Sequence, residues 1–253
     1  MSESCEVLAS TSHQRSAVAR LAELALPGRV QIGLTRTEPI RRLPSDLRPL
    51  DAVLGGGVPR GRVCEVLGPL SSGKTSFVLT LLAAATRRGE LVACVDLADA
   101  LHPESIARAG ADLRCVLWVR PPSVVDGMRC TELLLHAGGF GLVVLDLGAQ
   151  LTHRPRNHVW PRLMRAAEHA HTALVILAPY RVAGSFAALS LGLRSRATLW
   201  KRAVWSLFDG FEIALQIERT KLGAPGRGIV IRARESCPSF LSFTNTLHEH
   251  DSR

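Results

Sequence analysis

The clearest chemistry in this 253-residue chain lies in eight consecutive residues, Gly68, Pro69, Leu70, Ser71, Ser72, Gly73, Lys74 and Thr75, which fit G-x-x-x-x-G-K-[ST]. The two glycines let backbone N–H groups turn inward around a phosphate, and a helix starting at the end of the loop adds its positive pole. Lys74 is spaced to reach the β- and γ-phosphates, the Thr75 hydroxyl to ligate Mg²⁺, and Ser76 to complete the nucleotide-contacting set. Asp146 ends the apolar run 142–146, where a second carboxylate would orient the water shell of the metal. ATP and Mg²⁺ are therefore the expected ligands. A glycine-rich turn that binds nothing is the plain alternative, and an acid at a strand end also suits a helix cap. The alternative loses ground because an apolar strand precedes this loop and an alanine- and leucine-rich helix follows it.

A second kind of chemistry is spread over residues 151–253. That half holds 15 Lys and Arg against 7 Asp and Glu, whereas residues 1–150 hold 16 against 15, so nearly all of the net charge of +9 lies there. Such asymmetry points to a polyanionic partner, nucleic acid ahead of membrane, because no segment joins a basic face to a long apolar one. Two clusters carry it. Arg154, Arg156, Arg162 and Arg165 form the first, the last two on the polar face of a helix whose other face holds Trp160, Leu163, Met164 and Ala167. Arg181, Arg194, Arg196, Lys201 and Arg202 form the second, interleaved with Trp200, Trp205, Phe208 and Phe211. Guanidinium groups on phosphates and aromatic rings under bases make the composition that single-stranded DNA requires. A solvated basic surface over core aromatics, an arginine-biased composition (28 Arg to 3 Lys) and a protein contact all remain open beside it.

These residues need a scaffold, and the hydropathy pattern supplies one. Apolar runs at 63–67, 91–96, 115–119, 142–147 and 173–178 read as strands buried on both faces. Helical patterns at 75–88, 103–109, 123–137 and 160–171 alternate with them, the βαβ rhythm of a parallel sheet covered on both sides. From residue 187 the period changes to two, through Leu189, Leu191 and Leu193, then Phe211, Ile213, Leu215 and Ile217, then Ile229 and Ile231, as in an antiparallel meander. The expected fold is α/β: a phosphate-loop core at residues 45–235 with a mixed, mainly parallel sheet. An arm at 1–44 (helix 14–26, strand 29–34), suited to oligomerisation or partner contact, precedes it, and a short tail at 236–253 follows. The length suits one core, and no apolar run or leader pattern calls for a membrane or secretion, so a cytoplasmic location is expected. Six cysteines without C-x-x-C spacing read as inert thiols, and the pairs His169/His171 and His248/His250 as surface residues.

The stretch 50–75, in which Leu50, Asp51, Leu54, Gly55, Gly56, Gly57, Pro59 and Gly61 lead into the phosphate loop, resembles the bacterial RecA recombinases. Residues 95–103, 142–146 and 217–225 extend the likeness over about residues 45–233. The resemblance implies a RecA-like core binding ATP and Mg²⁺, a Walker B role for Asp146, and contact of Arg219 and Lys221 with nucleotide held by a neighbouring subunit, hence self-association. It also places the basic-aromatic segment near a DNA-binding loop.

Departures from the pattern bear on activity. The family's water-activating glutamate falls at Ala98, and its polar γ-phosphate sensor at Pro179. Asp99 is adjacent but shorter and shifted by one residue, and positioning tolerances for catalysis are on the order of 1 Å. At most a weak ATPase is expected. A degenerate RecA-like chain with Val116 to Pro121 after its second helix is similar to the ImuA proteins of bacterial mutagenesis cassettes. That likeness implies an accessory role in damage-induced translesion synthesis, beside RecA and translesion polymerase components and at the nucleoid when acting. An active DNA-dependent ATPase of recombinase type is the competing expectation, kept open by the intact loop and the Arg219/Lys221 pair.

Overall fold

The strand that leads into the phosphate loop, β3 (Val63–Leu67), is buried along its whole length, and its neighbours on both sides run parallel to it. In the computed structural model, residues 40–148, 151, 155–202, 206–223, 226–234 and 242–243 are described. Residues 1–39 of the expected arm at 1–44, Arg154, Trp205 and most of the tail lie outside them.

In chain order the elements are β1 (Arg42–Leu43), α1 (Arg48–Leu54), β2 (Val58–Pro59), β3, α2 (Lys74–Arg87), β4 (Leu91–Asp96), α3 (Pro103–Arg108), β5 (Val116–Val119), α4 (Val124–Ala137) and β6 (Phe140–Asp146). They continue with α5 (Val159–Ala170), β7 (Ala173–Ala178), β8 (Ala187–Arg202), β9 (Ser206–Thr220), β10 (Gly228–Arg234) and β11 (Ser242–Phe243). Nine strands form one sheet in the order β11-β10-β9-β8-β3-β7-β6-β4-β5. From β8 to β5 adjacent strands are parallel, and from β8 to β11 antiparallel. The mixed sheet with a terminal meander is thus the one expected. The tail adds a strand to it, since Ile231 pairs with Phe243.

Two cores follow from strands buried on both faces. Cys64, Val66, Cys94, Val144 and Leu177 pack with Phe77, Val78, Leu81 and Leu82 of α2 on one side. Val63, Ala93, Val95, Leu145 and Ile176 pack with Met128 and Leu135 of α4 and Trp160 and Leu163 of α5 on the other. Complete burial pushes the Cys64 thiol far up and that of Cys94 up to about 12, so both stay protonated and unreactive. Among the described residues no helix is long and apolar enough to cross a membrane.

Among the described residues, one α-helix is absent from the pattern reading. The glycine-rich lead begins as a helix, α1, because Pro49 in its first turn suits a helix start and Asp51 accepts from both the N–H and the hydroxyl of Ser45 at 2.8 Å. Arg42 then ties off the far end, donating to the carbonyls of Leu54 at 2.7 Å and Gly57 at 3.2 Å. A seven-residue helix has too few turns to reveal a 3.6-residue period, so sequence pattern alone does not find it.

Candidate functional site

The phosphate loop occupies the carboxyl end of β3, where the chain leaves the sheet centre and passes over β7 and β6 to reach β4, a topological switch point of the kind at which α/β sheets bind ligands. Its shape is imposed by the neighbouring hairpin. Gly73 caps α2 with φ +94°, and a Cβ there would stand 2.3 Å from Ile213 Cδ1 of β9. A Cβ at Gly68 would stand 2.4 Å from the carbonyl oxygen of Leu193 in β8. Both glycines are therefore required for close approach, one against each strand of the β8–β9 pair.

Within the loop, Lys74 Nζ donates to the carbonyl of Gly68 and, at 2.9 Å, to that of Pro69. Burial holds its ammonium below the usual lysine range, against the pull of the Asp146 carboxylate. Ser72 is buried and its hydroxyl has no partner. Pro69, Leu70, Ser71 and Thr75 are exposed, and Ser76 is half-buried. Asp146 ends β6 in register with Asp96, which ends β4, and accepts from the Gly148 N–H at 2.8 Å. Burial lifts Asp146 above the usual carboxylate range; the Gly148 N–H opposes this, Asp96 adds to it, and Lys74 opposes it.

These features fit a magnesium nucleotide. An orphaned hydroxyl and a lysine held by nothing stronger than two carbonyls stand at a helix N-terminus, where backbone N–H groups favour an anion. Among the described residues no group of three or more His, Cys, Asp or Glu could hold a metal alone. Mg²⁺ asks for no such cage, since it takes one or two protein oxygens and completes its shell with phosphate and water. Thr75 and Asp146 would supply those oxygens, and the metal would neutralise charge between phosphates.

The exit of β4 is organised by Asp96. Its carboxylate accepts from the backbone N–H groups of Ala98 (3.1 Å), Ala100 (3.3 Å) and Leu101 (3.0 Å) and from Trp118 Nε1 (3.3 Å). Ala98 is thus held at the surface beside Gly148. Asp99, at φ +50°, pairs with Arg120 at 3.4 Å.

The RecA N-terminal domain family matches residues 27–166, more than half of the sequence. The chain belongs to the RecA family. Protein RecA of Streptomyces coelicolor is 36% identical over 152 residues, 58% of this chain and 41% of its own length. That of Clavibacter michiganensis subsp. michiganensis is 36% identical over 126 residues (49% and 35%), and that of a Nocardioides species 39% over 117 (46% and 33%). The chain thus spans about two fifths or less of the length of these relatives. The crystal structure of the RadB recombinase superposes with a TM-score of 0.64 at 19% identity, covering 80% of this chain and all of that one, a likeness of fold.

Outside the loop at residues 68–76, the two basic clusters have different settings. The second is part of a hairpin. The last β3–β8 pair is Leu67 with Gly192, yet β8 runs on to Arg202, roughly 33 Å past the end of β3 at about 3.3 Å per residue, with β9 as its partner and β10 beside β9 as far as Gly210. Arg194, Arg196 and Lys201 are exposed there, and Arg196 is the extra residue of a bulge between Ser195 and Ala197. Arg202 lies in the strand. Trp200 and Phe208 meet edge-on at 6.1 Å, Phe208 and Phe211 at 4.9 Å, and all three are exposed, in line along the strand with Ile213 under the loop. Of the acids in this hairpin, Glu212 is paired with Arg232 at 2.6 Å, and Asp209 lies in β9 between Phe208 and Phe211.

The first cluster is divided. Arg156 is exposed, Arg165 is exposed with its Nε donating to Pro161 O at 3.2 Å, and Arg162 is bidentate to Glu132 at 2.8 and 2.5 Å. The polar face of α5 is therefore not wholly free, as the sequence pattern suggests, because α4 brings an acid against it. Arg219 and Lys221 donate to the carbonyls of Gly184 (2.9 Å) and Ser185 (2.6 Å) in the β7–β8 connection.

Glu65 has no place in the sequence reading. It is fully buried in β3 and accepts from the N–H groups of Val182 (2.8 Å) and Ala183 (2.6 Å) and the Ser190 hydroxyl (3.0 Å), pinning the same connection. Its signal is a single carboxylate inside an otherwise apolar five-residue strand, which demands buried donors.

Proposed function

We propose that this RecA-family chain is an accessory or regulatory protein of the DNA-damage response and translesion synthesis. It binds Mg·ATP at residues 68–76 with Thr75 and Asp146 on the metal, and it turns ATP over weakly or not at all. Single-stranded DNA is held along the β8–β9 hairpin by Arg194, Arg196, Lys201 and Arg202, with bases stacked on Trp200. RecA and translesion polymerase components are the protein partners, and self-association would bring Arg219 and Lys221 to a neighbour's nucleotide.

The observation that carries this reading is the exit of β4. Resemblance puts a water-activating glutamate at Ala98, and neither neighbouring acid is disposed to replace it. The Asp96 carboxylate is committed to three backbone N–H groups and an indole, and Asp99 turns to Arg120. A base must lie within hydrogen-bonding reach of the water that it activates. ATP thus serves as a structural or switching ligand. Steady-state hydrolysis, measured with and without single-stranded DNA, tests this: turnover close to background in both is expected, whereas a robust DNA-stimulated rate would establish an active recombinase-type ATPase.

A further inference from the structure

On the face of the sheet opposite α2, helices α4 and α5 bound a groove of about 660 Å³ that the nucleotide reading does not use. One wall is a stripe of α5, where Arg162, Arg165 and His169 follow one another at i, i+3 and i+7; the other is Glu132 and His136 of α4. Between them the floor is apolar, made of half-buried Ala170 with Leu135 and Ala166, 2% and 4% exposed, closing it from below. Arg162 reaches across to Glu132, which cancels the one acid of the groove. Among the described residues its neighbour Arg165 spends only Nε, on Pro161 O; His136 and His169 are exposed, with His136 Nε2 3.9 Å from Glu132. The groove therefore offers donors on both sides of an apolar strip, with positive charge left over.

We propose that this groove docks an acidic peptide segment of a protein partner, with a carboxylate on Arg165 and an adjacent small apolar side chain against Ala170. An Arg fork matches a carboxylate in two hydrogen bonds, and a pocket of this size takes a few side chains. A polynucleotide suits it less well. Its evenly spaced phosphates would have to pass the Glu132 carboxylate, and the strip beneath them holds no aromatic ring on which a base could stack. The groove reaches down to Gly138, ahead of β6, away from the carboxyl ends of the strands where the phosphate loop lies. Docking there is accordingly independent of nucleotide and of the hairpin.

The test is fluorescence anisotropy on the full chain with a labelled Glu-Glu-Leu repeat peptide, its Gln-Gln-Leu counterpart and an oligothymidylate of similar length. The Glu peptide should bind and the Gln peptide should not. Arg165→Glu, at an exposed position, should weaken the Glu peptide at least tenfold. The same charge change at Arg108→Glu, on α3, should leave it unaltered, as should added ATP. Equal peptide affinity in wild type and Arg165→Glu overturns the proposal, as does equal loss in Arg165→Glu and Arg108→Glu. Capture of the oligothymidylate with loss in Arg165→Glu makes the groove a nucleic-acid surface instead.

Discussion

Replacing Gly73 by alanine tests whether the hairpin shapes the phosphate loop. Alanine at φ +94° costs roughly 1–2 kcal/mol in backbone strain. Its Cβ would also lie 2.3 Å from Ile213 Cδ1, with Cγ1 at 3.0 Å and Cγ2 at 3.1 Å, an overpacking that costs typically about 1–3 kcal/mol. The single variant should therefore lose about 2–5 kcal/mol of stability. Ile213→Val removes the one carbon in severe conflict while keeping the other two, and alone costs about 0.5–1.5 kcal/mol. In the double variant Gly73→Ala/Ile213→Val the overpacking is largely relieved and the strain persists. The loss should then fall short of the sum of the singles by about 1–2 kcal/mol, read from urea unfolding of all four proteins. Nucleotide affinity, measured by calorimetry, should drop in Gly73→Ala and recover in part in the double variant. Additivity to within about 0.5 kcal/mol would refute the packing of hairpin against loop.

Lys74→Ala should weaken ATP binding by about 1.5–3 kcal/mol through loss of a charge-assisted hydrogen bond, and equal affinity by calorimetry would place the nucleotide elsewhere. Ala98→Glu should raise hydrolysis above the wild-type level, since the substitution restores a carboxylate at the surface beside Gly148; an unchanged rate would remove that position from the chemistry. Replacing Arg194, Arg196, Lys201 and Arg202 together by alanine should weaken single-stranded DNA binding and flatten its salt dependence, by about 0.7 in log–log slope for each phosphate that is no longer neutralised. Trp200→Ala should weaken binding by about 1–3 kcal/mol with the slope intact, because stacking releases no counterions; a mutant set that keeps both affinity and slope would make the hairpin a protein-binding surface. Burial raises the Asp146 carboxyl above its unfolded value, so the native state holds that proton more tightly and stability falls as pH rises from the unfolded value through the raised one. Asp146→Asn should abolish that slope and stabilise the metal-free protein at neutral pH while losing the Mg²⁺ dependence of nucleotide binding; an unchanged profile would count against a desolvated carboxylate.

The α/β architecture and the phosphate site follow from sequence because each depends on local spacing. Four of the five apolar runs are buried as their composition declares, the glycine and lysine positions of residues 68–75 are fixed relative to one another, and Asp146 ends a strand that ends where the pattern says; the run at 115–119 departs from this, because β5 is the edge strand with one neighbour and stays half-exposed. What joins distant segments was decided only by the tertiary structure. No spacing shows that Arg162 meets Glu132 across thirty residues, that Glu65 holds a connection more than a hundred residues away, or that Ile213 presses on Gly73. The alternation through 187–217 declares strands, yet not that β8 runs on past the end of β3 with β9 alone as its partner and stands beside the phosphate loop, since register depends on how many partners a strand finds. The exit of β4 is the mixed case: resemblance alone puts Ala98 where the family's glutamate falls, and only the folded exit loop turns the Asp96 carboxylate to three backbone N–H groups and Asp99 to Arg120.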